Sequence, residues 1–119
     1  MEKIIRISTK DYKMKASALT QFSYRNETGR SFLTDLQKLT ELKDIVIDFT
    51  SNIETLDNVS DLLLRMAFIM AREADKNQVN NYEEFLGGIE NLYDNTEWIQ
   101  EVLELACSPL SRQLQTNKN

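Results

Sequence analysis

The sequence predicts a mainly α protein: a compact bundle of about four to five helices with a small N-terminal β-hairpin. Three observations carry that expectation. Apolar residues recur at helical spacing through most of residues 30–106. Strict alternation is confined to the start of the chain. The longest apolar stretch, LLLRMAFIMA, is broken by Arg65 and is too short to span a bilayer, so it reads as a central helix buried on most sides.

The elements follow in order. KIIRI (Lys3 to Ile7) and YKMKA (Tyr12 to Ala16) are short β-type runs, and the second places Tyr12, Met14 and Ala16 on one side and Lys13 and Lys15 on the other. STKD supplies the turn. A lone hairpin is marginal in water, so its apolar side, with Ile5 and Ile7, is expected to lie against a helix. SALTQFSYRNETG carries Leu19, Phe22 and Tyr24 without a clean period and ends at Gly29, which fits a short helix or an irregular turn. From Arg30 to about Asp44, Phe32, Leu33, Leu36, Leu39 and Leu42 mark an amphipathic helix.

Ile45 to Ile47 allows a third strand, but the helical period continues through Ile45 and Phe49, and helix is the reading adopted. Asn52, Thr55 or Asn58 can each cap the central helix, which then runs through Val59, Leu62, Leu63, Met66, Phe68, Ile69 and Met70 to about Ala74. Within it Arg65 either reaches solvent or pairs with Asp61 one turn back. Asn81 with Glu84 resembles a capping box opening a short helix of Tyr82, Phe85 and Leu86, closed by Gly87 and Gly88 as residues tolerant of positive φ. The last helix starts after Asn95 or Thr96, shows Trp98, Ile99, Val102, Leu103 and Ala106, and stops at Pro109. The organisation is one domain over 1–119: hairpin 1–16, helical body 17–108, and a polar, frayed tail 109–119.

Composition removes several functional classes. A net charge of −5, with the acids dispersed, leaves no footprint for nucleic acid or an anionic membrane. With no histidine there is no imidazole base or zinc ligand, and the single Cys107 excludes an internal disulfide and reads as a structural thiol. The carboxylate pairs Glu83 with Glu84 and Asp44 with Asp48 read as solvated helix faces, and no glycine spacing fits a phosphate loop. The expectation is a protein that is not an enzyme and takes no cofactor or metal.

EADKNQVNNYEEFLGGI, residues 73–89, tests the metal expectation, because it looks like a calcium loop. With Glu84 at the twelfth loop position, Glu73, Asp75 and Asn77 fall at the first, third and fifth. Gln78 then occupies the glycine position and Asn80 the apolar one, and the chain holds no second loop. The stretch therefore reads as a solvated connection between two helices.

What remains is apolar surface. Met66 and Met70 lie one helical turn apart, and Trp98, Val102 and Leu103 share the last helix. Methionine adapts to varied partners, so a groove between these helices is the expected partner-binding site, although the same spacing describes core positions.

Two stretches add a resemblance. YKMKASALTQFSYRNETGRSFLTDLQKL contains Tyr24, Arg25, Asn26 and Gly29 in a Y-R-N-x-x-G pattern before an amphipathic helix. MAFIMAREADKNQVNNYEEFLGGIE contains a helix of form A-(aromatic or Ile)-x-M-A-(Lys or Arg)-x-A-D, a loop and an aromatic-E-E-aromatic-L segment. Together they resemble the tail assembly chaperones of long-tailed, siphovirus-like bacteriophages and prophages of Gram-positive bacteria. Thr28 departs from the aromatic usual before the glycine, and Ser31 from the acid that often follows.

The resemblance implies a non-enzymatic assembly role in the host bacterial cytoplasm. The protein would bind the tape measure protein, keep it soluble, promote tail tube polymerisation around it, and be absent from the mature virion. Tail tube protein would be met through a longer, frameshifted form, which the polar QLQTNKN ending would tolerate. Homo-oligomers are compatible with this reading. A structural head-to-tail adaptor or other virion component is the alternative, followed by a small calcium-binding regulatory protein.

Overall fold

A computed structural model of the chain describes residues 1–41 and 53–110, with side chains on the central helix described from Val59 onward. The expected helix through Ile45 and Phe49, Asn52 as a cap, and most of the polar tail lie outside the described residues; Thr55 and Asn58 fall inside the central helix, which already runs from Ile53, so neither caps it. Those described build a two-stranded antiparallel sheet and five α-helices, in keeping with the mainly α architecture expected.

The hairpin pairs β1 (Glu2–Ile7) with β2 (Lys10–Lys15), with Ile7 opposite Lys10 and Ile5 opposite Tyr12. The reversal falls on Ser8 and Thr9. Ser8 takes φ 60, a left-handed value that a turn this tight demands, and its Oγ accepts from the Asn91 N–H at 3.1 Å. Alternation then sorts the side chains: Ile5, Ile7, Tyr12, Met14 and Ala16 are buried, while Ile4, Lys13 and Lys15 are exposed.

The segment without a clean period is a regular helix, α1 (Ala18–Thr28). Ser17 caps it: Ser17 Oγ accepts from the Leu19 N–H at 3.1 Å and Thr20 Oγ1 accepts from the Ser17 N–H at 2.9 Å. Gly29 ends it at φ 72, where a side chain would be strained, with its N–H on the Arg25 carbonyl at 2.8 Å. Next comes α2 (Phe32–Glu41), which buries Phe32, Asp35, Leu36 and Leu39.

The central helix is α3 (Ile53–Ala74), packed against β2, α1, α5 and α4. Its buried residues run almost continuously from Leu63 to Ala71, with Leu63, Met66, Ala67, Met70 and Ala71 fully inaccessible. Arg65, the exception in that run, pairs with Asp61 at 3.3 Å, one turn back. After it comes α4 (Tyr82–Gly87), where Asn81 Oδ1 accepts from the Glu84 N–H at 2.9 Å. The reciprocal half of the expected capping box is replaced, because the Glu84 carboxylate accepts from Asn80 Nδ2 at 2.8 Å.

Gly88 is a further correction. It sits at φ −84, so no positive φ is involved; an added Cβ there would lie 3.0 Å from Lys10 Nζ. The last helix, α5 (Glu97–Cys107), passes into a short 3₁₀ turn over Ser108–Leu110 that contains Pro109. It seals the core with Trp98, Ile99, Val102, Leu103, Leu105 and Ala106, and Trp98 Nε1 donates to the Leu92 carbonyl at 2.8 Å.

Candidate functional site

The groove expected between the central and last helices is closed. Met66, Met70, Trp98 and Val102 are 0% exposed and Leu103 is 6% exposed, so all five are core. The physical reason is layering: α3 packs against both the hairpin and α5, and the face carrying Met66 and Met70 faces neighbours instead of solvent. Helical spacing describes a buried stripe and an open one alike.

Besides Met1 and Ile4 at the hairpin and Leu33 on α2, exposed large apolar side chains lie instead on α1. This helix is inverted relative to ordinary amphipathic patterning, for its only buried residues are Thr20 and Tyr24, whereas Leu19 and Phe22 are 58% and 60% exposed. Hydrogen bonds explain the inversion. Ser17 Oγ donates to Glu73 Oε2 at 2.7 Å and Thr20 Oγ1 donates to Glu73 Oε1 at 2.8 Å, so one carboxylate on α3 receives both hydroxyls of the cap. One turn further on, the Tyr24 hydroxyl donates to Asp35 Oδ2 at 2.7 Å. With polar groups turned inward and satisfied, Leu19 and Phe22 face outward.

Leu19 overlooks a cleft of about 270 Å³ between α1 and α3, lined also by Ser23, Ile69, Arg72, Glu73 and Lys76. A neighbouring cleft of about 220 Å³ runs from Glu27 and Thr28, across Arg65, Phe68, Ile69 and Arg72, to Asn80, Asn81 and Tyr82. Ile69 and Arg72 line both, so the two clefts adjoin as an interrupted channel between α1 and the start of α4, with α3 beneath and the Arg72–Glu27 pair across it.

The charged lining of the channel is mixed: Arg65, Arg72 and Lys76 stand with Glu27 and Glu73, and Arg65 and Arg72 are paired with Asp61 and Glu27. Arg65, Ile69, Arg72 and Lys76 follow one another at three- or four-residue steps, one stripe along α3 and the turn after it. The Arg65 guanidinium lies 4.5 Å above the Tyr82 ring and that of Arg72 lies 4.9 Å above Phe68. Arg72 also pairs with Glu27 on α1. Desolvation, reinforced by the charge of Asp61, holds the Tyr82 phenol well above its ordinary range, so it stays neutral and donates to Asp61 Oδ1 at 3.1 Å. The clefts offer apolar contact beside guanidinium groups stacked on the Tyr82 and Phe68 rings.

The calcium-like residues are dispersed. Glu73 is taken up by Ser17 and Thr20, Asp75 Oδ1 accepts from the Asn77 N–H at 2.9 Å, and Glu84 bonds Asn80. Gln78, standing at the would-be glycine position, reaches back to β2: Lys13 N–H donates to its Oε1 at 2.7 Å and its Nε2 donates to the Lys13 carbonyl at 2.8 Å. Among the described residues no cluster of three Asp, Glu, Cys or His side chains is placed to hold a metal ion. Cys107 is half-buried, and burial pushes its thiol up. Among the described residues no helix is long and apolar enough to cross a membrane.

Sequence reasoning missed Leu19 and Phe22 as surface. A usable signal was present in Ser17, Thr20, Tyr24 and Thr28, spaced three or four apart and all able to hydrogen-bond. No family model, curated protein or solved structure matches this chain.

Proposed function

We propose that this protein is a non-enzymatic tail assembly chaperone of a long-tailed bacteriophage or prophage, and that it holds a helical segment of the tape measure protein in the channel between α1 and α3. The observation that carries the reading is the exposure of Leu19 and Phe22 on α1, with Leu19 at the edge of a cleft that Arg72 and Lys76 also line. Two large apolar side chains turned to solvent one helical turn apart, the first of them at a cleft, make a candidate partner surface.

The two stretches that carry the family resemblance support it. Tyr24 to Gly29 ends α1, one wall of the channel, while the segment from Met66 through the loop to Leu86 supplies its floor and opposite wall. They are also fastened together, through Glu73 with Ser17 and Thr20 and through Arg72 with Glu27. In this reading the protein acts in the host cytoplasm, meets tail tube protein through a longer form, and leaves before the virion is complete.

Co-expression with the tape measure protein tests this reading: the soluble fraction of the client should rise several-fold with the chaperone present. Unchanged solubility, or abundant chaperone in purified virions by mass spectrometry, contradicts it.

A further inference from the structure

A two-stranded sheet has two free edges, and this molecule treats them differently. Met1 and Ala16 exchange both backbone bonds, the Ala16 N–H to the Met1 carbonyl at 2.9 Å and the Met1 amine to the Ala16 carbonyl at 3.0 Å. Alternation in an antiparallel ladder then directs the backbone groups of Lys3, Ile5 and Ile7 toward β2 and those of Glu2, Ile4 and Arg6 toward the outer edge. On the β2 edge, Gln78 occupies both backbone groups of Lys13, the residue opposite Ile4. On the β1 edge, Glu2, Ile4 and Arg6 have no backbone partner among the described residues. Their side chains share the outer face, where Ile4 is 61% exposed.

We infer that β1 pairs with β1 of a second copy, antiparallel about a two-fold axis at Ile4, joining two hairpins into one four-stranded sheet. The sequence of the edge selects that occupant. With Ile4 opposite Ile4 of the second copy, Glu2 of each chain stands opposite Arg6 of the other, so an apolar pair is flanked on both sides by opposite charges. Glu2, Ile4 and Arg6 are also the residues whose N–H and C=O groups point outward, so the register that matches the side chains pairs the backbones as well. Arg6 already donates to Asp11 at 3.2 Å through Nη1, and the fork retains other N–H groups for a second carboxylate. The self-complementary arrangement is isologous and closes at two copies, which leaves the α1 channel of each outside the contact.

An edge of this size falls short of the standard interface of about 800 Å² per partner, so the dimer is expected to form with a Kd of about 10–100 µM. Sedimentation velocity on the full chain across that range should show monomer converting to dimer. Glu2→Lys and Arg6→Glu, each setting like charges opposite one another twice, should each weaken the dimer at least about tenfold, and the double variant should restore it. In a Cys107→Ser background, Ile4→Cys should give an oxidised dimer, because facing residues of a hydrogen-bonded pair lie about 5.5 Å apart at Cα, within disulfide reach. Glu2→Cys or Arg6→Cys alone should not cross-link, while an equimolar mixture of those two should. Monomer at every concentration overturns the pairing, with circular dichroism confirming the hairpin and helices intact in each variant. So does a dimer indifferent to the charge exchange, or one that Phe22→Ser dissolves, which would place the contact on α1.

Discussion

The Tyr24 hydroxyl and the Asp35 carboxylate, both buried, meet at 2.7 Å and fasten the end of α1 to the start of α2. Arg30, in the turn between them, closes on the same carboxylate with Nε to Oδ2 and Nη2 to Oδ1, each at 2.8 Å. Both carboxylate oxygens are thereby used, in a bidentate geometry that suits an acid shielded from water. Asp35→Asn breaks the fork and should destabilise the fold by about 2 kcal/mol. Tyr24→Phe, which removes one donor and leaves the fork, should cost about 1 kcal/mol. Urea unfolding followed by circular dichroism measures both.

The same site sets a pH dependence. Hydrogen bonds from Arg30, opposed by burial and reinforced by Tyr24, hold the Asp35 carboxyl below the ordinary carboxylate range. The unfolded chain therefore takes up this proton at a higher pH than the native one does. The stability involved is fully present above the ordinary value of about 4 and drains away as pH falls through the lower native value. Unfolding free energies measured from pH 6 down to about 2.5 should fall more steeply for the parent than for Asp35→Asn. Parallel slopes would remove Asp35 from the account.

Glu73→Gln should loosen α1 specifically. A glutamine side chain has one acceptor oxygen in place of two, so Ser17 or Thr20 must then face an amide donor. The expected loss is about 1–2 kcal/mol, seen as faster amide hydrogen exchange over Ala18–Thr28 with α5 little changed.

How much of this was readable beforehand depends on where each residue's partners lie. The hairpin, α2, α3 and α5 follow from apolar periods within single segments, and the Asn81 cap and the Arg65 pair with Asp61 are local too. By contrast α1 looked irregular because its ordering is polar and long-range: Ser17 and Thr20 are satisfied by Glu73, more than fifty positions away. The burial of Met66 and Met70 was invisible for a related reason. Their spacing fits a helix face, but the element covering that face is fixed by the tertiary arrangement.

Met70→Glu marks that difference experimentally. Met70 is fully buried, so an introduced carboxylate has no solvent and no partner, and the cost should exceed about 4 kcal/mol. The variant should lose its cooperative thermal transition, whereas a surface position would leave it intact.

Calcium should leave the melting temperature unchanged within error, as should chelator, because Glu73, Asp75 and Glu84 each hold a different protein partner. A stabilising rise with added calcium would show preferential binding to the folded chain and revive the loop as a metal site.

The central claim is that α1 presents its apolar side to a client, and one measurement addresses it directly. Leu19→Ser with Phe22→Ser, both at exposed positions, should change stability little, within about 0.5 kcal/mol per site. Co-purification of the tape measure protein with this double variant, against the parent, is the test. The account predicts a folded chaperone that retains less than about a tenth of the client, a loss of at least 1.4 kcal/mol in affinity. Full retention by the folded double variant would contradict it.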